Sequence, residues 1–223
     1  MDICTECRGT QWRKIREGIL QRCVCFPRVE PDESGMRRMH LPHPWFTKSL
    51  KDYIPRNPPQ QRALDFMRGI AEYVEDRGGI ATPFGAVLTG PPGTGKTHLA
   101  VAYLKELSRS GFSGMYAHYP DWLESIRKGL PADPAGTAGF RSLLDADVVL
   151  LDDVAAISGL PSPVADAASA LIKSRHNRMK PVILTSRLPL VDPENSGAES
   201  LTLELGYPAV SRLMETCAII HLG

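Results

Sequence analysis

The sequence predicts an α/β fold, a parallel sheet with helices on both faces, preceded by a small cysteine-rich module. Two observations predict the sheet and one predicts the module. The stretch Gly90-Pro91-Pro92-Gly93-Thr94-Gly95-Lys96-Thr97 lies between an apolar run at 84–89 and a segment with apolar residues at 99, 103 and 107. Apolar run, glycine loop and helical period read as strand, turn and helix. Asp147-Val148-Val149-Leu150-Leu151-Asp152-Asp153 packs four apolar residues ahead of two carboxylates, a buried strand with acids at the edge where open parallel sheets take ligands. Finally, four of the five cysteines, Cys4, Cys7, Cys23 and Cys25, fall in the first twenty-five residues.

Composition bounds the class. At 223 residues, 43% hydrophobic and 23% charged, the chain holds one α/β domain plus an appendage. A formal net charge of +1 gives no global field toward nucleic acid or membrane. No apolar run approaches the ~20 residues that span a bilayer. The start Met1-Asp2-Ile3-Cys4 has neither the basic opening nor the apolar core of a signal peptide, so the expected location is cytoplasmic. Cysteines there are usually thiols or metal ligands.

The expected organisation is a zinc-ribbon-like module at 1–30, a linker at 31–58 and a nucleotide-binding core at 59–223. The cysteines run C-x2-C, fifteen residues, C-x-C. Two close pairs with a hairpin-length spacer suit a tetrahedral Zn²⁺ held by Cys4, Cys7, Cys23 and Cys25; two disulfides or four thiols are the alternatives. The spacer carries Trp12, Ile15, Ile19 and Leu20, enough for a two-stranded ribbon. Between Arg8 and Arg28 lie six basic residues and one acid, Glu17. This surface either contacts phosphates, with Trp12 stacking on a base, or is simply solvated with Trp12 packed over the metal. Seven prolines between 27 and 59 read as a loosely docked linker. His40 and His43 read as surface residues.

Pro58-Pro59 then open a helix over 59–77 with Ala63, Phe66, Met67, Ile70, Ala71 and Val74 on one face, ended by Gly78-Gly79. Residues 113–118 suit a second strand, and Pro120-Asp121 start a helix carrying Trp122, Leu123 and Ile126. Residues 129–138, rich in proline, glycine and alanine, read as a mobile loop. Ser162-Pro163 start a helix to about 178, and 181–186 form a fourth strand ending in the hydroxyls of Thr185 and Ser186. Pro208 opens a short helix, and residues 218–222 close the sheet. Cys217, in an apolar run, reads as a core residue.

The chemistry follows from the two anchors. Glycines let backbone N–H groups turn toward phosphate oxygens, and the helix N-terminus adds partial positive charge. Gly90, Pro91, Pro92, Gly93, Thr94, Gly95, Lys96, Thr97 and His98 form the expected ATP cradle. Lys96 reaches the β- and γ-phosphates, and the Thr97 hydroxyl holds Mg²⁺. Asp152, fifty-six residues after Lys96, holds Mg²⁺ from the other side, directly or through water. Asp153 polarises the attacking water.

These residues resemble the AAA+ ATPases of the DnaC/IstB group, helicase loaders and transposition helper ATPases. The resemblance rests on Gly90 to Ala100 in the form G-P-P-G-T-G-K-T-H-L-A, on Leu150-Leu151-Asp152-Asp153, on Arg175 followed by Lys180-Pro181-Val182-Ile183-Leu184-Thr185-Ser186, and on Ser211-Arg212-Leu213. The cysteine pattern also resembles a module that opens some DnaC-like replication proteins. The resemblance implies a P-loop NTPase (AAA+) core that self-associates through its ATP site, with Arg212 of one subunit completing the neighbour's site and Arg175 near that interface. An ordinary surface salt bridge is the alternative for Arg212. The family usually ends its fourth strand Thr-Ser-Asn; here Arg187 stands at the asparagine position, so Thr185 or Ser186 would have to orient the water. Asp153 stands where many AAA+ proteins carry glutamate. Room for a C-terminal lid domain is not expected.

The implied function is a helicase loader that hydrolyses ATP, assembles on single-stranded DNA and delivers a replicative DNA helicase of DnaB type. The alternatives are a transposition helper ATPase and a nucleotide-gated adaptor with little turnover, the latter motivated by Arg187.

Overall fold

Strict alternation along the central strands divides the core into two layers, one on each face of a single sheet. The computed structural model describes residues 4–6, 8, 12–16, 19–23, 25, 32–77, 85–128, 139–155, 162–191 and 199–223. The expected stop at Gly78-Gly79, the loop at 129–138, Cys7 and the Trp12 side chain fall outside what is described. Strands β1 (Trp12–Arg16) and β2 (Ile19–Arg22) pair antiparallel, with Trp12 opposite Arg22. This is the ribbon the cysteine spacer suggested.

The next stretch departs from a loosely docked linker. Asp32 caps α1 (Glu33–Arg38) by accepting the Gly35 N–H at 2.7 Å, and a 3-10 turn follows at His43–Trp45. Met39, Leu41, Leu50 and Tyr53 along it are all buried in the same core as the helix after the glycine loop. Proline content signals irregular backbone, but apolar side chains spaced through such backbone still gain by burial. Lys105 reinforces the attachment, donating to the Phe46 and Lys48 carbonyls at 2.6 and 2.7 Å. His43 is exposed, as expected.

Helix α2 (Pro58–Arg77) begins where Asn57 accepts the Gln60 N–H at 2.9 Å. Then come β3 (Gly85–Thr89), α3 (Lys96–Arg109), β4 (Gly114–His118), α4 (Tyr119–Arg127), α5 (Phe140–Asp145), β5 (Val148–Asp152), α6 (Ser162–Asn177), β6 (Val182–Ser186), α7 (Leu201–Leu205), α8 (Tyr207–Thr216) and β7 (Cys217–His221). The short helices α5 and α7 have too few residues to show a helical period in the sequence. The strands form one parallel sheet in the order β4-β5-β6-β3-β7.

Leu88, Leu150 and Ile183 pack with α2 and α3 on one face, whereas Val87, Val149, Leu151 and Leu184 pack with α4, α6, α7 and α8 on the other. Successive strand residues point to opposite faces, which is why each strand reads as a continuous apolar run. Cys217 is buried in the second layer, as expected. Arg175 does not reach the surface, where the resemblance expects it to serve an interface. It is fully buried on α6, and its guanidinium donates to the carbonyls of Leu143, Ala146, Asp147 and Pro181 at 2.6–2.9 Å. Two strand starts and the α5–β5 turn bring carbonyls together there, Pro181 also taking a long backbone bond from Val149 at 3.5 Å, and a planar five-donor group satisfies them. Burial lowers its pKa to about 10, against the pull of Asp147.

Among the described residues, no helix is long and apolar enough to cross a membrane.

Candidate nucleotide site at the C-terminal edge of the sheet

The period-two alternation also aims the working groups. Two residues beyond the buried Leu88, Leu150 and Ile183, on the same face, stand Gly90, Asp152 and Thr185. All three therefore lie at the C-terminal strand edge beneath the N-terminus of α3. The loop from Gly90 to Thr97 takes three positive φ angles, +135° at Gly90, +79° at Gly93 and +85° at Gly95. Gly95 is doubly constrained, because a Cβ there would sit 2.5 Å from Tyr53 Cε2.

Tyr53 is a clamp on this loop that no sequence pattern marks. Its hydroxyl donates to the Thr94 carbonyl at 2.9 Å, and its ring meets His98 edge-on with centroids 5.4 Å apart. His98 Nε2 in turn lies 3.0 Å from the Ser49 carbonyl. Asn57 and Gln60 hold the Leu222 carbonyl, each at 3.3 Å. The segment before the core thus holds both the glycine loop, through Tyr53, and the chain just after the last strand.

Lys96 Nζ donates to the Gly90 and Pro91 carbonyls, both at 2.8 Å. Burial lowers its pKa, opposed by the charges of Asp153 and Asp152. Asp152 is buried and collects three hydroxyl donors. Its Oδ1 accepts from Thr97 at 2.9 Å and from Thr185 at 2.6 Å, and its Oδ2 accepts from Tyr116 at 3.0 Å. Thr97 spends its proton on Asp152, so its oxygen lone pairs stay available to a hard cation such as Mg²⁺. Thr185 also accepts the Asp153 N–H at 2.9 Å. That bond accompanies φ +59° at Asp153, whose side chain is exposed.

The remaining expected site residues are placed less directly. Ser186 is fully buried; its hydroxyl donates to the Val154 carbonyl and accepts the Leu188 N–H, so it is committed within its own loop. Arg187 is exposed and lies 3.9 Å from Glu199. Arg212 is exposed on α8 and donates to Glu215 at 2.9 Å. His176 and Arg212 together hold the Glu215 carboxyl below its usual range, the His176 hydrogen bond acting most.

At the ribbon, the sulfurs of Cys4, Cys23 and Cys25 lie within 4.8 Å of one another, Cys4 to Cys23 at 3.7 Å. A tetrahedral ion with bonds of ~2.3 Å sets its sulfurs ~3.8 Å apart, whereas a disulfide needs ~2.05 Å. The three described thiols thus fit a thiolate metal set better than a disulfide.

Strand, glycine loop and helix, with a buried carboxylate facing the loop's threonine, define a P-loop nucleotide-binding protein. The chain belongs to the IstB-like ATP binding protein family, which matches residues 33–221. It is similar to the ATP-binding protein of insertion sequence IS1162 from Pseudomonas fluorescens, 36% identical over 107 residues, or 46% of this chain and 43% of that protein. The match therefore spans less than half the length of that curated relative. Among solved structures, the fold is similar to the DnaC helicase loader (TM-score 0.64, 24% identity, 82% of this chain and 100% of that one). It is also similar to DnaI (0.62, 18%, 83% and 96%) and to AMPPCP-bound DnaA from Aquifex aeolicus (0.57, 21%, 78% and 50%).

Proposed function

We propose that the chain is an ATP-hydrolysing helicase loader whose nucleotide state governs its assembly on single-stranded DNA. One observation carries the ATP reading: Thr97, on the phosphate loop, and Thr185, on β6, converge on the buried Asp152 carboxylate. In this reading Lys96 exchanges its two loop carbonyls for phosphate oxygens, and the backbone N–H groups of the loop bind the remaining charge. Thr97 and Asp152 hold Mg²⁺, which neutralises charge developing on the phosphoryl oxygens. Asp153 accepts the proton of the attacking water. Thr185 fixes the Asp152 carboxylate and the Asp153 main chain through its hydroxyl, a role the absent asparagine leaves to it, while Ser186 braces the loop.

Arg212 leaves Glu215 to reach a neighbouring subunit's phosphates, so that self-association completes the site. An exposed ion pair is worth only ~0–1 kcal/mol, so that release is cheap. Cys4, Cys23 and Cys25, with Cys7, hold Zn²⁺ in the ribbon. The ribbon docks a replicative helicase or contacts DNA.

Similarity to an insertion-sequence protein favours a second reading, a transposition helper that uses the same ATP-driven assembly to present DNA to a transposase. The deciding experiment measures ATP turnover with and without single-stranded DNA, alongside capture of a purified replicative helicase or of a transposase in each nucleotide state. Helicase capture that depends on ATP supports the loader. Transposase capture alone supports the helper. Absence of turnover under every condition removes the hydrolysing role and leaves a nucleotide-gated adaptor.

A further inference from the structure

Tyr116 sits on an edge strand and is part of no phosphate-binding motif, yet its hydroxyl ends on the site's buried carboxylate. The parallel register aligns Tyr116 with Leu150 and His118 with Asp152. Asp152 is therefore one strand across and two residues further along. With a rise of ~3.3 Å per residue and strands ~4.8 Å apart, the two Cα atoms are separated by ~8 Å. A tyrosine leaning toward the strand's C-terminal end spans that gap; shorter hydroxyl side chains cannot.

The contact is enclosed. Tyr116 is 5% exposed and Asp152 4%, and the hydroxyl lies 3.0 Å from Oδ2. Strand β4 is itself pinned at this residue, because the Tyr116 N–H donates to the Met39 carbonyl at 2.8 Å. Burial, followed by the charge of Asp152, pushes the phenol's pKa well above its ordinary value.

The two carboxylate oxygens are loaded differently. Oδ1 takes two hydroxyls, those of Thr97 and Thr185. Oδ2 takes Tyr116, and a carboxylate oxygen has two lone pairs. Tyr116 therefore fixes the carboxylate's rotation and leaves the second lone pair of Oδ2 in a set direction. Since carboxylate torsions are broad and roughly two-fold, removing one of two opposing anchors frees the group to turn.

We propose that Tyr116 is a positioning residue for the cation half of the nucleotide site, holding Asp152 in the rotamer that serves Mg²⁺. The inference rests on the ATP·Mg²⁺ reading above. It goes beyond that reading by assigning metal dependence to a residue outside both motifs. The alternative is that the tyrosine only fills the core.

The test is equilibrium binding of a fluorescent ATP analogue, titrated with Mg²⁺ and repeated in chelator, for the wild type, Tyr116→Phe and Tyr119→Phe. Tyr119 is a fair control: it is equally buried, and its hydroxyl donates to Glu204 at 2.6 Å, away from Asp152. For Tyr116→Phe the half-saturating Mg²⁺ concentration rises about tenfold, in line with one lost hydrogen bond to a charged group. Affinity in chelator stays within about twofold of wild type, since the same bond does not touch phosphate. Tyr119→Phe keeps the wild-type Mg²⁺ requirement.

An unchanged Mg²⁺ requirement in Tyr116→Phe, or an equal shift in Tyr119→Phe, overturns the inference while leaving the ATP reading intact. A wild type that binds no nucleotide removes both. A second measurement avoids any folding defect in the variant: 3-fluorotyrosine placed at 116 in an otherwise unaltered chain. Its fluorine resonance shifts when Mg²⁺ is added to the nucleotide-bound protein, and a resonance indifferent to Mg²⁺ contradicts the proposal.

Discussion

Replacing Gly95 by alanine tests the grip on the phosphate loop, because two separable costs meet at that residue. Its φ of +85° costs an alanine ~1–2 kcal/mol. The new Cβ would lie 2.5 Å from Tyr53 Cε2, so the ring must move and its hydrogen bond to Thr94 is lost, adding ~1 kcal/mol. Gly95→Ala should therefore destabilise the nucleotide-free protein by ~2–3 kcal/mol in all. Tyr53→Ala removes the ring and costs ~3–5 kcal/mol as a buried aromatic truncation. In the double variant the ring is gone and only the backbone part of the glycine cost remains. The double should fall short of the sum by ~1 kcal/mol or more. Tyr53→Phe keeps the ring but not the hydroxyl, so Gly95→Ala on that background should still have to displace the ring while no longer losing the ~1 kcal/mol of the Thr94 hydrogen bond. Urea unfolding followed by circular dichroism measures all five variants against the wild type. Additivity within ~0.5 kcal/mol would show that Tyr53 does not press on the loop, and the reasoning would fail.

Other expectations test separate parts of the account. Arg175→Met removes four guanidinium hydrogen bonds to main-chain carbonyls in and around the core, of which Pro181 keeps only the long bond from Val149. At ~1–3 kcal/mol each, urea unfolding should show a loss of ~4 kcal/mol or more, with Arg175→Lys recovering little because an ammonium lacks the planar fork. Metal analysis of protein purified without chelator should find about one zinc per chain, reduced by Cys23→Ser; protein free of zinc rules out the ribbon site. Burial pushes the Cys217 thiol up to about 11, so a thiol reagent at neutral pH should label it only on unfolding. Because the folded state keeps that proton longer than the unfolded chain, stability is fully present below the unfolded value of about 9 and is lost as pH rises toward about 11. Arg212→Ala and Asp153→Asn should each abolish turnover, yet an equimolar mixture should recover part of it, since one subunit supplies the arginine and the other the carboxylate; a silent mixture contradicts the shared site.

The glycine loop, the carboxylate strand and most of the helices were legible because each is a local pattern: a fixed spacing, a run, or a 3.6-residue period. Tyr53 and Tyr116 were not. Tyr53 reaches a loop forty-one residues ahead and Tyr116 a carboxylate thirty-six residues ahead, and nothing in the local pattern marks a tyrosine for such a partner. The segment through Met39, Leu41 and Leu50 reads as loose because prolines dominate it, although its apolar side chains decide where it lies. The resemblance places Arg175 near an interface; only the convergence of four carbonyls on its guanidinium shows why an arginine is buried there. At Thr185 and Ser186, period-two alternation separates the two hydroxyls: Thr185 faces Asp152, and Ser186 turns into its own loop.

The most direct test of the central claim is equilibrium binding of ATP, with and without Mg²⁺, by the wild type, Lys96→Ala and Asp152→Asn. The account predicts saturable binding by the wild type that Mg²⁺ strengthens. Lys96→Ala should lose about tenfold or more in affinity, as expected for removing a hydrogen-bonded charge from phosphate. Asp152→Asn should lose the Mg²⁺ dependence. Binding that is indifferent to Mg²⁺ and equal in all three proteins would contradict it.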